Sequence, residues 1–299
     1  AECIGRAAEL GDIDTLEYFL QSSSKFERFI ELSKLTVGAA LDLPTEKRGL
    51  TALHRAVDKG HEAVIQLLLQ NRASVDAGTP KTKWVQDATP LHMGALAAGD
   101  RALAVRSLLN AHANIGALVN LSSIFKADAL SIAVVCGQPA VAKELLLHRA
   151  SANARLGGFF GEGMTALSSA VRFGGGKKMV DLLLDHGAEI DAIDDAGVTA
   201  LMAGCFTWTN FFEVQVDECN ALLARGANPR KRACCRRCKP KGLCCTPRGN
   251  VLWRLWIMRC FFCCCRRRIR KFSELSGILR AAEKDYKKVD TPLNRVVPC

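Results

Sequence analysis

The sequence predicts an all-α solenoid of stacked helix-turn-helix units with projecting hairpin fingers. Three observations support this fold class: a phrase that returns at intervals of 34 to 39 residues, apolar residues at helical spacing inside each copy, and glycines between the two helical patterns. A chain of 299 residues could form about two globular domains, but a solenoid grows by adding copies. We therefore expect one elongated array with an appended segment.

The clearest copy is TALHRAVDKGHEAVIQLLLQNRASVDA, which begins at Thr51. Later copies open at Thr89, Asp128, Thr165 and Thr199, at intervals of 38, 39, 37 and 34 residues. The N-terminal GRAAELGDIDTLEYFLQ matches the middle of the phrase and is interpreted as a partial copy. The predicted array covers 1–229, with a partial repeat at 1–24, a helical linker at 25–48 and repeats from about 49, 87, 126, 163 and 197.

Each copy contains two short amphipathic helical patterns. In the first full copy we expect buried stripes at Leu53, Ala56 and Val57 in the first helix and at Val64, Leu67 and Leu68 in the second. One such pair cannot bury both stripes by itself, so successive copies must stack.

Glycines mark the end of the first helix in four copies, at Gly60, Gly99, Gly137 and Gly174. A glycine there allows the positive φ that ends a helix. Four cysteines that occur singly inside helical patterns are interpreted as small buried residues: Cys3, Cys136, Cys205 and Cys219.

The second helix is followed by Gly187 and Gly226 in two copies, and by Arg72, His112 and Arg149 in the other three. A left-handed conformation costs a non-glycine residue on the order of 1 kcal/mol. We expect these three repeats to be less stable than those with glycine.

These copies resemble the ankyrin-repeat family. Thr51 with His54, and Thr89 with His92, match the family's opening tetrapeptide. The resemblance implies a structural role for them, in which hydroxyl and imidazole form hydrogen bonds that tie the turn to its neighbour; a ligand-binding role for the histidines is the alternative. It implies the same structural importance for the glycines after the second helix.

Later copies depart from this tetrapeptide. Asp128 and Ser131 replace both members in the third copy, and Ser168 and Met202 replace the histidine in the fourth and fifth. We expect the interfaces there to be looser or held in another way.

The intervals between copies exceed the family's 33 residues, which predicts enlarged fingers at 78–88, 118–127 and 155–164. Aromatic residues among polar ones are common interface anchors. The candidate partner-binding residues are Lys83, Trp84, Phe125, Lys126, Arg155, Phe159 and Phe160. The alternative is that the fingers fold back and cover apolar surface.

The resemblance implies a non-enzymatic scaffold that binds another protein through its concave face. No catalytic constellation is recognisable: Gly174 to Lys177 lacks the other residues of a phosphate loop, and His61 with Glu62 lacks the second histidine of a zinc protease. We expect no small-molecule substrate. The alternative is a targeting or regulatory segment of a larger enzyme whose catalytic domain lies outside this chain.

Residues 230–271 form a basic, cysteine-rich insert with 15 Lys or Arg and no Asp or Glu, while the rest of the chain has 26 basic and 30 acidic residues. The net charge of +11 is therefore local. For residues 272–299 we expect a helix and the start of a further repeat.

Three functions fit the insert. Cys235, Cys238, Cys260 and Cys263 form two pairs with the spacing of a structural zinc site. We expect no other cofactor.

An anionic membrane surface is the second function, because 251–265 reads as a short amphipathic helix followed by arginines. Cysteines beside such a helix are acylation candidates. They are Cys260, Cys263, Cys264 and Cys265.

Nucleic acid or nuclear import is the third function, carried by the basic runs at 230–232 and 266–271. A linker without a specific role is the alternative to all three. With no secretory signal and no apolar run of 18 residues, we expect an intracellular protein, cytoplasmic or nuclear, or peripheral to a membrane.

Overall fold

The computed structural model describes residues 2–21, 28, 30–31, 33, 35–45, 49–79, 85–121, 125–158, 163–173, 175–194, 197–204 and 216–228, with the backbone alone at 85, 121, 125 and 158. Two compact units divide the chain, residues 1–162 and 163–299. Among the described helices, none combines the length and apolar character that crossing a bilayer would require.

The first unit consists of helix pairs and short strands. Its helices are α1 (Glu2–Leu10), α2 (Ile13–Gln21), α3 (Val37–Leu41), α4 (Ala52–Lys59), α5 (Glu62–Gln70), α6 (Pro90–Leu96), α7 (Ala102–Asn110), α8 (Ala129–Val135) and α9 (Pro139–Leu147). Its strands are β1 (Val85–Gln86), β2 (Val119–Leu121), β3 (Phe125–Ala127) and β4 (Arg155–Gly158).

The second unit repeats the helix-pair arrangement. Its elements are β5 (Met164–Thr165), α10 (Ala166–Arg172), α11 (Gly176–Asp185), α12 (Ala200–Gly204) and α13 (Val216–Ala224). Helices α10 and α12 are in contact, as are α11 and α13. Met179, Val180, Leu183 and Leu222 are buried between these helices.

The core of the first unit lies between successive helix pairs. First helices α1, α4, α6 and α8 contact one another in that order, and second helices α5, α7 and α9 do the same. Fully buried Leu53, Leu91 and Leu130 occupy equivalent positions in three first helices. The apolar stripes thus meet their equivalents in the neighbouring copies, as a solenoid requires.

One predicted stripe residue is wrong. Val64 and Leu68 are buried, but Leu67 is half-buried, and Ile65 is fully buried in its place. Both sets of three residues span a similar arc of a helix with 3.6 residues per turn. The sequence period therefore defined the width of the stripe but not the side of Val64 to which it extends.

Left-handed residues end the second helices, as predicted. Arg72, His112 and Arg149 have φ of 64°, 62° and 69°, and Gly187 and Gly226 have φ of 84° and 90°.

The glycine turns after the first helices are confirmed at three positions. Gly60, Gly99 and Gly137 have φ of 79°, 93° and 66°; Gly174 lies outside the described residues.

Two cysteine predictions are wrong. Cys3 and Cys136 are exposed, because Cys3 lies on the outer side of the N-terminal helix and Cys136 caps the end of α8. Cys219 is buried as predicted, and Cys205 lies outside the described residues.

The fingers of the first unit are joined in an antiparallel sheet. β1 pairs with β2 of the next finger, β2 with β3 in a hairpin, and β3 with β4 of the following finger. Sequence analysis predicted separate fingers but not this pairing between them. The predicted all-α solenoid class is confirmed, since helices form the core and strands occur at the fingers.

Candidate protein-binding surface

The side chains on one side of the finger sheet are buried. Val119 of β2 lies opposite Ala127 of β3, and both are buried, as is Leu156 of β4. Since side chains alternate along a strand, their immediate neighbours point to the other side. This side of the sheet is therefore buried; the finger aromatics, to which the alternative applies, lie outside the described side chains.

The outward side carries a polar row across four strands. Gln86 lies opposite Asn120, Asn120 opposite Lys126, and Lys126 opposite Gly157. Arg155 precedes Gly157 by two residues and so points to the same side. We call these five residues, Gln86, Asn120, Lys126, Arg155 and Gly157, the finger face.

The finger face is accessible and basic. Lys126 and Arg155 are exposed, and Gln86, Asn120 and Gly157 are partly exposed. Two of the five residues are cationic and none is acidic.

The structure brings together two of the predicted partner-binding residues, Lys126 and Arg155. Phe125 is described only by its backbone, as the first residue of β3. The remaining four, Lys83, Trp84, Phe159 and Phe160, lie outside the described residues.

Buried histidines anchor the fingers to the first helices. His54 Nε2 lies 2.9 Å from the carbonyl oxygen of Ala88, and Thr51 Oγ1 lies 2.9 Å from His54 Nδ1. Because a carbonyl oxygen only accepts, Nε2 carries the proton and Nδ1 accepts, so the ring is neutral. His54 thus links the opening of its own copy to the base of the next finger.

His92 repeats this arrangement in the second copy. Its Nδ1 accepts from the backbone N–H of Thr89 at 3.1 Å, and its Nε2 donates to the carbonyl of Ala117 at 3.0 Å. Ala117 immediately precedes the finger that carries β2 and β3.

Burial lowers the pKa of both histidines. The pKa of His54 falls to about 4, because desolvation outweighs the hydrogen bond to Ala88, and the nearby His92 lowers it further. Desolvation also lowers the pKa of His92, against the hydrogen bond to Ala117. Both rings therefore belong to the neutral scaffold beneath the finger face at physiological pH.

The third and fourth copies keep the helix cap without the histidine. The Asp128 carboxylate accepts the Ser131 N–H at 2.7 Å, and Thr165 Oγ1 accepts the Ser168 N–H at 3.1 Å and donates to its hydroxyl at 3.0 Å. The Ser131 hydroxyl is buried and has no hydrogen-bond partner among the described residues.

The fifth copy also keeps only the cap. Thr199 Oγ1 accepts the Met202 N–H at 3.3 Å. A thioether cannot donate, so Met202 has no means of forming the carbonyl bond that His54 and His92 make.

A second set of bonds between copies was missed by sequence reasoning. His61 Nε2 donates to the Glu9 carbonyl, Arg101 Nε to the Asp58 carbonyl and Gln138 Nε2 to the Ala97 carbonyl, at 3.1, 3.0 and 2.6 Å. Each donor immediately precedes a second helix, and each acceptor lies at the end of the preceding copy's first helix. They satisfy carbonyls that helix ends leave without intrahelical partners.

The signal for these bonds was weak because the donor changes from His to Arg to Gln. Only the shared position, one to two residues after the glycine turn, relates them. A long side chain with an N–H donor is the common requirement.

Aspartates form a third set of bonds between copies. The Asp42 carboxylate accepts the Ser74 N–H at 2.8 Å, and Asp76 accepts the Asn114 N–H at 2.9 Å. In the second unit Asp191 accepts the Asn228 N–H at 3.0 Å. The position equivalent to Asp76 in the second copy is Gly116, which has no side chain to accept such a bond.

An ion pair joins two second helices, α7 and α9. Arg106 of α7 makes a bidentate contact with Glu144 of α9, with Nε–Oε2 and Nη2–Oε1 distances of 3.0 and 2.7 Å. This contact holds the pKa of Glu144 below its usual value. Ser107 of α7 also donates to Glu62 of α5.

The predicted metal and acylation residues lie outside the described residues: Cys235, Cys238, Cys260, Cys263, Cys264 and Cys265. Within the described ranges, no group of three or more His, Cys, Asp or Glu side chains is placed to hold a metal ion.

Solved structures with a similar fold include two ankyrin repeat domains and a chain from a bacterial complex. The ankyrin repeat domain of human ASB11 is 23% identical, with a TM-score of 0.54, over 77% of this chain and 86% of the other. The ankyrin repeat domain of Bcl-3, a member of the IkappaB family, is 22% identical with a TM-score of 0.57, over 78% and 89%.

A chain from the complex of the Bd0816 predatory endopeptidase of Bdellovibrio bacteriovorus with immunity protein Bd3460 is 18% identical, with a TM-score of 0.53, over 75% and 98%. No curated protein matches the sequence. The family model of ankyrin repeats matches residues 4–119 and 130–233, in three copies. The chain therefore belongs to the ankyrin-repeat family.

Proposed function

We propose that this protein is a non-enzymatic interaction scaffold that binds a protein partner through its concave side and the finger face. Ankyrin repeats are protein-protein interaction modules, and one structurally similar chain comes from the complex of an endopeptidase with an immunity protein. The observation that carries the proposal is the joining of successive fingers into one sheet with an exposed outward side.

The hydrogen-bonded scaffold supports a recognition role for this sheet. His54 and His92 bond to carbonyls at the bases of two successive fingers, and the sheet connects those fingers to a third. Loops held on a rigid framework lose little conformational entropy on binding. The residues that would contact the partner first are the exposed Lys126 and Arg155.

Photo-cross-linking in the full chain tests this proposal. A photoreactive amino acid is placed at Asn120 or Lys126 on the finger face, or at Lys143 on the exposed side of α9. We expect a defined cross-linked partner from the finger positions and none from Lys143. Cross-linking confined to Lys143 would place the partner on the outer helices instead and contradict the proposal.

For the basic insert at 230–271 we propose an attachment role, supported by its charge and cysteine content alone. Zinc, an anionic membrane and nucleic acid are the three candidates, and the protein would work in an intracellular compartment. Zinc analysis of reduced protein, pelleting with anionic vesicles and a filter-binding assay with DNA would distinguish them. Failure in all three assays would remove the attachment role.

A further inference from the structure

We propose that the finger face binds an extended acidic segment of a partner protein that presents two carboxylates two residues apart. This inference rests on the proposed function, because it names the chemistry of the partner at the same surface. It requires only the sheet register and the positions of two cations.

The spacing of the two cations fits an extended peptide. Lys126 lies directly opposite Gly157, and Arg155 lies two residues from Gly157 on the same strand, so Lys126 and Arg155 are diagonal neighbours on adjacent strands. Such neighbours are separated by about 7–8 Å. Alternate side chains of an extended segment point the same way and repeat about every 6.8 Å. One carboxylate can therefore approach each cation.

The opposing glycine leaves room for the partner beside Lys126. Among the described residues, a Cβ built at Gly157 would contact only Lys126, at 3.6 Å from its Cβ and 3.8 Å from its carbonyl oxygen. Both are ordinary van der Waals distances. The strand position opposite the lysine is therefore unoccupied by a side chain, and it can accept one without displacing the backbone.

The rest of the row suits a peptide. Gln86 and Asn120 continue the row from Lys126, and their amides can both donate to and accept from a peptide backbone. None of the five finger-face residues is acidic, so the face itself has a net positive charge. Single-stranded nucleic acid usually requires stacking aromatic residues along a basic groove, and none of the five residues is aromatic.

Backbone NMR of the full chain tests the proposal with two synthetic peptides of equal composition. In the first, Gly-Thr-Glu-Val-Glu-Val-Thr-Gly, two glutamates are two positions apart. In the second, Gly-Thr-Glu-Glu-Val-Val-Thr-Gly, they are adjacent. We expect the first peptide to shift the amide signals of Asn120, Lys126 and Gly157 and to bind about threefold to fivefold more tightly than the second, as one additional exposed ion pair allows.

Two variants and a matched control sharpen the test. We expect Lys126→Glu/Arg155→Glu to abolish the shifts, and Gly157→Glu, which places a carboxylate opposite Lys126, to weaken them. Lys177→Glu/Lys178→Glu makes the same change in charge at exposed positions of α11 and should leave binding unchanged. Circular dichroism verifies that each variant retains its helical content.

Three outcomes would overturn the proposal. Equal binding of both peptides would reduce the interaction to charge alone, and no shifts with either would remove the acidic partner. Tighter binding of an oligothymidylate of equal charge would assign nucleic acid to this surface. If cross-linking at Asn120 still captures a protein while the peptides fail, the scaffold function stands and only the acidic specificity falls.

Discussion

His54 donates through Nε2 to the carbonyl oxygen of Ala88, 34 residues later, across a distance of 2.9 Å. The same ring accepts through Nδ1 from its own copy. Because both nitrogens are occupied, a second ring proton would remove the acceptor at Nδ1. The junction between the first full copy and the next finger therefore depends on a neutral histidine.

Stability should decrease on acidification between pH 6.5 and 4. An exposed histidine in the unfolded chain has a pKa of about 6.5, and that of folded His54 is about 4. Between these values the unfolded chain binds a proton that the folded chain does not. The free energy of unfolding therefore decreases as the pH is lowered. The full contribution, present above pH 6.5, is on the order of 3 kcal/mol.

Urea titrations followed by circular dichroism at pH 7, 6, 5 and 4 measure this loss. His54→Gln removes one of the two buried titrating rings and should make the decline shallower, with the part due to His92 remaining, whereas His186→Gln, at an exposed position, should leave the decline unchanged. A decline of equal slope in His54→Gln would show that another group is responsible.

The two serines that replace the histidine should respond differently to alanine. The Ser131 hydroxyl is buried and without a described partner, so Ser131→Ala should be neutral or slightly stabilising. The Ser168 hydroxyl accepts from Thr165 at 3.0 Å, and Ser168→Ala should cost about 1 kcal/mol. Thermal unfolding of both variants provides the comparison, and equal losses would contradict it.

Glycine at the left-handed positions that follow the second helices should stabilise the array. Arg72, His112 and Arg149 are exposed and adopt positive φ, so their replacement by Gly removes backbone strain with little loss of contact. Since glycine also increases the entropy of the unfolded chain, we expect a net gain of about 0.5–1 kcal/mol for each. Urea denaturation of the triple variant should show the sum.

The converse change is the control for this prediction. A Cβ at Gly187 or Gly226 would meet no atom of the described residues within 4 Å, so alanine there is expected to introduce backbone strain alone. Each substitution should cost about 1 kcal/mol. If Gly187→Ala were neutral, the backbone strain assigned to Arg72, His112 and Arg149 would be too large.

Gly116→Asp should add a bond between copies. Asp76 accepts the Asn114 N–H, and Gly116 occupies the position of Asp76 in the next copy. Within the described part of the chain, a Cβ there meets only Asn114 Oδ1, at 3.6 Å, so a side chain fits. We expect a gain of about 1 kcal/mol from a bond to the Ser151 N–H.

Gly116→Ala separates that bond from the loss of glycine's flexibility. It shares the backbone effect of the aspartate variant but has no carboxylate, so its melting temperature should lie between those of the wild type and Gly116→Asp. Equal melting temperatures for the two variants would show that the carboxylate forms no useful bond.

Features that depend on local chemistry could be predicted from the sequence. Features that depend on contacts between neighbouring copies could not. The left-handed conformation after the second helices was predicted, because it follows from position at a helix end. The residues concerned are Arg72, His112 and Arg149. Burial of Ile65 instead of Leu67 depends on which neighbouring helices contact α5. Periodicity carries no information about that choice.

The candidate site shows the same division. Fingers were predicted from copy length, and Lys126 and Arg155 from their place in them. Their position on one side of one sheet depends on register between strands of different fingers, which short segments of sequence do not encode. The donors His61, Arg101 and Gln138 were missed because three residue types perform one role.

The finger sheet restricts how this array can be edited. Repeats of a solenoid are usually exchangeable, because each contacts only its neighbours. Here the finger that carries β2 and β3 supplies both central strands between β1 and β4. Deleting the segment that contains it would leave two strand edges with unpaired backbone groups, which invite aggregation. Natural or engineered loss of this repeat would therefore require a replacement hairpin.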